Sequence, residues 1–267
     1  MFARGSLLCL TLLFAMVLSA SGASDLSELK PSSPTDPKVL ETIAMPDLAS
    51  SKLGDILENY YNRHLGGAER WSTLESVRMR GTIDNQGRML SVTSYQKKPD
   101  LCKLKIWNDE YSVMLGYDGD DAWIKEGRSA VRDMSHAERK RFVLNSRFES
   151  LLLYPFKSDR RIEYIDAVPF KGRLCHQIRV YLEKRYEVDH FVDVRDYSLV
   201  KIDSRDTLND HSHESVFTSY RTFDEYPVAM EVTNYENGEK VSIFYVDEVK
   251  VNSGVVPWLF ARPLEVE

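Results

Sequence analysis

The chain has 267 residues and a formal net charge of −6, with 35 basic and 41 acidic side chains. Charges of both signs are interspersed and form no long block, which argues against nucleic acid as the main partner. A chain of this length can form a single domain, particularly an all-β one.

The N-terminal residues show the three parts of a secretory signal peptide. Arg4 is the only charged side chain before residue 25, and residues 7–18 form an apolar run broken only by Thr11. This run is too short to span a bilayer, which needs about 20 residues. Small residues follow it, so we predict a signal peptide over residues 1–23, cleaved after Ala23. The protein is then exported, and an uncleaved N-terminal anchor is the alternative.

Residues 24–50 are predicted to be a linker, because Pro and Ser are frequent and apolar residues are too few to form a core. A single folded domain over residues 51–267 follows. It opens with a helix over residues 51–64, in which apolar residues recur at spacings of three and four. Ser50 or Ser51 can cap the start of this helix, and Gly66-Gly67 ends it.

From Ser76 onward apolar and polar residues alternate, which indicates strands with one wet face. Sequences rich in Gly, Asp and Asn separate the runs, as in hairpins. A second helix interrupts them: Ser135 and Glu138 form a capping box, and the helix is predicted to end near Ser150. The strand runs cover residues 76–83, 90–97, 101–107, 111–117 and 122–125 before this helix, and 161–170, 174–182, 186–194, 199–205, 214–223, 228–235 and 240–252 after it.

So many antiparallel strands make a sheet that must curl or close, and one of its faces needs a cover. The two apolar-sided helices are the only candidates for that cover. We therefore predict a mainly-β fold, in which a curved antiparallel sheet of about 11 strands forms a half-closed barrel with helices on its concave side. Side chains and helices do not have to fill such a concavity completely, so an apolar ligand cavity is expected there.

Several segments follow one another in an order found in a known family. Residues 60–82 lead from a helix through a Gly-Gly turn into a first strand with a Gly-Thr step. Residues 117–123 carry a Tyr-Asp-Gly turn before a Trp-bearing strand, and residues 191–201 carry a strand, an Asp, a turn and a Leu. With the hairpin around Tyr226-Pro227 and the closing strand from Val249, these segments resemble the LolA-like outer-membrane lipoprotein-sorting proteins.

This resemblance implies an unclosed β-barrel with a helical lid over an apolar cavity. It also implies a periplasmic carrier of a lipid or a lipidated protein, served by a membrane-bound donor or acceptor. Burying one CH₂ group gains about 0.8 kcal/mol, so a long acyl chain leaves a membrane only when a cavity replaces it. No reaction and no cofactor are needed. The faces defined by strand alternation predict the lining of the cavity: Val77, Met79, Leu104, Ile106, Ile178 and Val180 from the sheet, and Phe142 and Phe148 from the second helix.

The sequence departs from the family pattern in two places. The late hairpin turns at residues 223–226 without the glycine that is common there, and the leader before residue 51 is longer than a carrier needs. The long leader slightly favours a first alternative, in which the same fold acts as an envelope sensor or protein-interaction module and fills its cavity with its own side chains.

An enzyme with an unrecognised active site is the second alternative. The sequence contains no Gly-x-Ser-x-Gly, no His-Glu-x-x-His and no phosphate-binding Gly loop. We therefore expect no catalytic residue.

One pair of residues has the chemistry of metal ligands. His211 and His213 would share a face on a strand and could hold zinc, but the sequence places no third ligand. The preceding Asn209-Asp210 favours a solvated hairpin turn, so we predict a turn and no metal site.

Two cysteines remain after the signal peptide. Cys102 shares parity with apolar residues and Cys175 with polar ones, so their Cβ atoms point to opposite faces. Such an arrangement disfavours a disulfide. We expect one buried and one surface thiol.

Overall fold

The protein is seen in a computed structural model that describes residues 50–67, 70, 73–136, 138–139, 142–143, 148, 152, 161–182, 186–207 and 211–263. The predicted signal peptide and nearly all of the predicted linker lie outside these residues. The cleavage after Ala23 and the boundaries at residues 23 and 50 therefore stay predictions.

The first helix begins where the sequence predicts. Helix α1 (Ser51–Asn59) continues through a π-helical turn at Tyr60–His64. The Ser50 hydroxyl caps it by accepting a hydrogen bond from the Leu53 N–H at 3.4 Å. Gly66-Gly67 follows at φ values of 82° and 91°, which glycine adopts without steric strain. The buried face consists of Leu53, Ile56, Leu57, Tyr60 and Tyr61.

The described residues contain thirteen strands. All twelve predicted runs are strands, and the extra one is the two-residue β6. The strands are β1 (Ser76–Asn85), β2 (Arg88–Lys97), β3 (Leu101–Trp107), β4 (Ser112–Tyr117), β5 (Ala122–Glu126), β6 (Arg132–Asp133), β7 (Arg161–Phe170), β8 (Arg173–Leu182), β9 (Tyr186–Asp193), β10 (Leu199–Asp206), β11 (His211–Phe223), β12 (Tyr226–Glu236) and β13 (Glu239–Val251).

All thirteen strands belong to one antiparallel sheet, in the order β6-β5-β4-β3-β2-β1-β13-β12-β11-β10-β9-β8-β7. The sheet is not closed, because β6 and β7 are its two edges. Two meanders, β1–β6 and β7–β13, meet where β1 pairs with β13, with Met79 opposite Val249. The predicted mainly-β, unclosed barrel is confirmed.

Gly81 lies at a tight contact between the two meanders. The β1–β13 register shifts between Arg80 and Gly81. A Cβ atom at Gly81 would overlap the Tyr245 carbonyl oxygen and the Phe244 ring. The Gly-Thr step of the sequence is therefore the point where only a glycine lets β13 lie against β1.

The main core lies between α1 and the concave face of the sheet. It joins the buried face of α1 to alternate residues from both meanders, among them Ile83, Leu104 and Ile202. Phe148 and Leu152, from the segment after β6, belong to the same core. The Tyr61 hydroxyl of the α1 extension donates a hydrogen bond to the Leu152 carbonyl at 2.8 Å.

The predicted capping box at the start of the second helix is present. The Ser135 N–H donates to the Glu138 carboxylate at 2.8 Å, and the Glu138 N–H donates to the Ser135 hydroxyl at 3.4 Å. Residues 136, 138–139 and 142–143 are helical, and the predicted end near Ser150 lies outside the described residues.

The C-terminal segment packs on the convex face of the first meander. Phe260 is fully buried there with Leu101 and Val255. The Trp123 indole N–H donates to the Phe260 carbonyl at 2.9 Å, and the Lys103 ammonium donates to the Leu259 carbonyl at 3.1 Å. Trp123 lies on the outer side of β5, and its hydrogen bond to Phe260 ties it to the C-terminal segment there.

Cys102 and Cys175 are both free and both buried. The expected surface thiol at Cys175 is therefore wrong. The residue does point away from the main core, but Phe191 of β9 and Val200 of β10 bury it in a small convex cluster. Strand parity assigns a face and does not show whether that face is solvated.

Candidate functional site

A small apolar cavity lies between the end of α1 and the concave face, where the two meanders meet. Its volume is about 90 Å³. The π-helical turn supplies Tyr60 and His64 to the wall. The remaining lining residues are Leu65, Leu74, Val77, Met79, Leu199, Ser215, Phe217, Tyr220, Tyr226, Pro227, Val228, Ala229, Val232, Phe244, Val246, Val249 and Val251.

The eight predicted lining residues are divided between this cavity and the rest of the core. Val77 and Met79 line the cavity. The other six belong to the same core or pack against it without lining this cavity: Leu104, Ile106, Phe148, Ile178 and Val180 are buried, and Phe142 is half-buried. Alternation correctly predicts the concave face, but it carries no information on the position of a cavity along that face.

The residues that the sequence analysis missed come mainly from β11, β12 and β13. They surround the cavity because β13 lies beside β1 and not at an edge. The alternation of Phe244 and Val246 marks an apolar face in the sequence, but strand order is needed to bring that face next to Met79.

The hairpin between β11 and β12 borders one end of the cavity. The Tyr226 hydroxyl donates to the Arg70 carbonyl at 2.8 Å, and the Arg70 guanidinium pairs with the Glu225 carboxylate at 3.0 Å. Asp224 and Glu225 have φ values of 46° and 71°, the left-handed conformation of a tight two-residue hairpin turn. The hairpin therefore makes the tight turn without the expected glycine.

The described lining of the cavity carries no charge near neutral pH. Burial lowers the pKa of His64 to about 4, against an opposing effect of the Asp196 carboxylate. The His64 ring packs edge-on against Tyr220, with ring centres 5.1 Å apart. Burial raises the pKa of Tyr220 well above its usual value, and its hydroxyl donates to the Leu199 carbonyl at 2.7 Å. The cavity thus has the electrostatics of an apolar ligand site.

A buried row of polar side chains begins at the edge of the cavity. Ser215 lines the cavity and donates a hydrogen bond to the Asn234 side-chain oxygen at 2.8 Å. The Asn234 amide donates to the Ser242 hydroxyl at 3.2 Å. His213 Nε2 lies 3.3 Å from the Ser215 hydroxyl. These four residues span β11, β12 and β13 on the concave face.

Two further polar residues extend this row onto β9 and β10. Ser204 is directly opposite His213, and His190 is opposite Ile202, which is itself opposite Ser215. His190 is completely buried, and burial lowers its pKa to about 4. Within the described part of the chain, no hydrogen bond is made by the Ser204 hydroxyl or by His213 Nδ1. We call His190, Ser204, His213, Ser215, Asn234 and Ser242 the polar row.

The predicted solvated turn at His211 and His213 is wrong. β11 begins at His211, which is paired with Asp206 of β10, and His213 is only 3% exposed. Regular pairing on both sides of β11 places His213 on the concave face, which turn chemistry in the sequence does not reveal. The described residues contain no group of three or more His, Cys, Asp or Glu side chains that could hold a metal ion.

No helix in the described ranges combines the length and apolar character that crossing a membrane requires. No protein-family model matches the sequence, and no curated protein does. Solved structures do match the fold.

A domain from Vibrio parahaemolyticus described as an outer-membrane lipoprotein-sorting protein domain is 16% identical, with a TM-score of 0.52, over 76% of this chain and 93% of that one. A DUF1329 family protein from Desulfovibrio piger is 13% identical, with a TM-score of 0.57, over 79% of this chain and 98% of that one.

A LolA superfamily protein from Nitrosomonas europaea is 10% identical, with a TM-score of 0.54, over 79% of this chain and 97% of that one. The unclosed barrel with a helix in its concavity is thus the fold shared with these three solved structures, one of which is a LolA superfamily protein. The resemblance noted in the sequence is confirmed at the level of the fold.

Proposed function

We propose that the protein is an exported, periplasmic carrier or binding protein for a lipid or a lipidated protein. It shields acyl chains between the sheet and the helices and performs no chemistry on them. A membrane-bound donor or acceptor would exchange the ligand with it. The observation that supports this best is the uncharged apolar cavity between α1 and the concave face.

The volume of the cavity indicates how a ligand would enter. At about 90 Å³ it is smaller than the roughly 300–1,000 Å³ of typical ligand pockets. An acyl chain would therefore have to move side chains apart and extend into the neighbouring core. The predicted residues Leu104, Ile106, Phe142, Phe148, Ile178 and Val180 would then join Val77 and Met79 as its lining.

The proposal is tested by native mass spectrometry and lipid extraction of the exported full chain. We expect lipid to copurify or to bind when added from vesicles. Val228→Trp places a large side chain at a cavity-lining position of β12 and should reduce lipid binding at least tenfold. Thr218→Trp, at an exposed position of β11, is the matched control and should bind like the unmodified protein. If no lipid copurifies and none binds when it is added from vesicles, the carrier function is refuted.

A sensor or protein-interaction module is the second candidate. It is favoured by the dense core between α1 and the sheet, which leaves only a small cavity. This candidate predicts that Val228→Trp leaves the exported protein folded and functional in the envelope, because no ligand has to enter. Complementation of a deletion strain by Val228→Trp would therefore separate the two candidates.

A further inference from the structure

We propose that the cavity takes an amphiphile whose polar end is uncharged and carries hydroxyl groups, as a glyceride does, and that the polar row binds this end. The inference rests on the proposed function and names the class of ligand for the same site. It is carried by the buried polar atoms beside the cavity that have no hydrogen-bond partner.

The apolar and polar parts of the site are contiguous. Ser215 lines the cavity, and its neighbours Phe217 on β11 and Val232 on β12 line it as well. On the other side of Ser215 the polar row continues along β11 to His213 and across β10 to Ser204. A ligand whose tail lies in the cavity would therefore have its polar end at Ser215.

Part of the polar row is satisfied internally and part of it is not. Ser215, Asn234 and Ser242 form a hydrogen-bonded chain, which holds Ser215 in place. The Ser204 hydroxyl and His213 Nδ1 are buried without a partner among the described residues. Buried polar atoms are nearly always paired, because burial without a partner is unfavourable. A ligand hydroxyl at this place would pair with both.

The charges around the polar row select an uncharged ligand. The Ser215 hydroxyl donates to Asn234, so a neutral His213 donates from Nε2 to Ser215 and leaves Nδ1 as an acceptor. A ligand hydroxyl can donate to this nitrogen and accept from the Ser204 hydroxyl. The cavity lining contains no Lys or Arg to balance a phosphate or a carboxylate.

The test compares three ligands that share one acyl chain. Binding of 1-monooleoylglycerol, methyl oleate and oleate to the full chain is measured by titration calorimetry. We expect 1-monooleoylglycerol to bind about tenfold more tightly than methyl oleate, since each new hydrogen bond contributes roughly three- to tenfold. Oleate should bind more weakly than 1-monooleoylglycerol.

Variants locate the effect. Ser204→Ala should weaken 1-monooleoylglycerol binding roughly three- to tenfold and leave methyl oleate binding unchanged. Because the Ser204 hydroxyl has no bond within the described protein, a purely structural role predicts no change for either ligand. His213→Phe should have the same selective effect. Ser94→Ala is the control: Ser94 is also buried on the concave face, but it lies opposite Met79 and Leu104 in the first meander.

The outcomes separate the inference from the function on which it rests. If no ligand binds, the carrier function fails and the inference fails with it. If 1-monooleoylglycerol and methyl oleate bind equally and Ser204→Ala changes neither, the carrier function stands and the polar row is only structural. Tighter binding of oleate than of 1-monooleoylglycerol would overturn the uncharged ligand class.

Discussion

The two meanders differ in the polar groups that they place on the concave face. In β1–β5 the concave face is mainly aliphatic, with Ser94 and Gln96 as buried exceptions, and the C-terminal segment seals the convex face. In β8–β13 the concave face carries the polar row, and the convex face carries ion pairs such as Arg179 with Asp189 at 2.7 Å. The first meander is a packed wall, while the second places polar groups beside the cavity. Ligand selectivity is therefore expected to come from the second.

The largest loss of stability should come from disrupting the pairing of β1 with β13, the seam between the two meanders. Gly81→Ala would force its Cβ atom into the Tyr245 carbonyl and the Phe244 ring, which separates β13 from β1. Overpacking of a rigid backbone contact should lower the free energy of unfolding by about 3 kcal/mol. Urea denaturation followed by circular dichroism measures this loss.

Gly87→Ala is the matched control for the seam variant. Gly87 has a φ of 88° but no atom within 4 Å of an added Cβ, so only the strain of about 1 kcal/mol remains. Equal losses for the two variants would show that the seam is not tightly packed.

A smaller effect is the pH dependence of stability, which should arise mainly beside the second meander. His64, His190 and His213 all pack beside the second meander, and burial lowers the pKa of each to about 4. Nearby Asp196 opposes the shift at His64, Asp189 opposes it at His190, and His211 adds to it at His213.

The sign of this pH dependence follows from the protons bound in each state. A depressed histidine pKa means that the unfolded state binds more protons below pH 6.5, so stability is complete above 6.5 and falls as the pH drops toward 4. Each of the three contributes a slope of roughly 1 kcal/mol per pH unit in that window. His190→Phe should remove one such slope, measured by denaturation at pH 7 and at pH 5. An unchanged slope would show that His190 is not buried in its neutral form.

The smallest effect should be confined to the first meander. Trp123→Phe removes the hydrogen bond to the buried Phe260 carbonyl and should cost about 1–2 kcal/mol. Hydrogen exchange should increase in β3–β5 and stay unchanged in β8–β10. Faster exchange in both regions would show that the effect of the C-terminal segment is not confined to the first meander.

Much of the fold can be predicted from the sequence because it depends on local patterns. Period-two alternation identifies the twelve long strands, and the capping residues Ser50 and Ser135 start the two helices. Alternation also assigns side chains to faces, and it places Met79 and Leu104 together on the face that forms the main core.

The site could be predicted only in part, because it depends on strand order and on long-range cover. Val77 and Met79 are among the predicted residues and line the candidate cavity, but Val249 lies opposite Met79 only through the β1–β13 pairing. His213 and Cys175 are likewise buried by residues from other strands. The polar residues around each of them in the sequence instead indicate a solvent-exposed position. The polar row consists of such residues: their polar character suggests exposure, but strands that are distant in the sequence bury them.

The pairing of β1 with β13 also determines when the molecule can fold. Arg78 of β1 and Glu248 of β13, which bond across this pair, are 170 residues apart in the chain. Such non-local pairing slows folding, because a long loop must close before the contact forms. A chain that leaves a ribosome or a translocation channel from its N-terminus cannot complete this sheet until its last strand has emerged. For an exported protein, this topology would keep the chain loose enough to cross a membrane and delay closure of the cavity until it reaches the compartment in which it works.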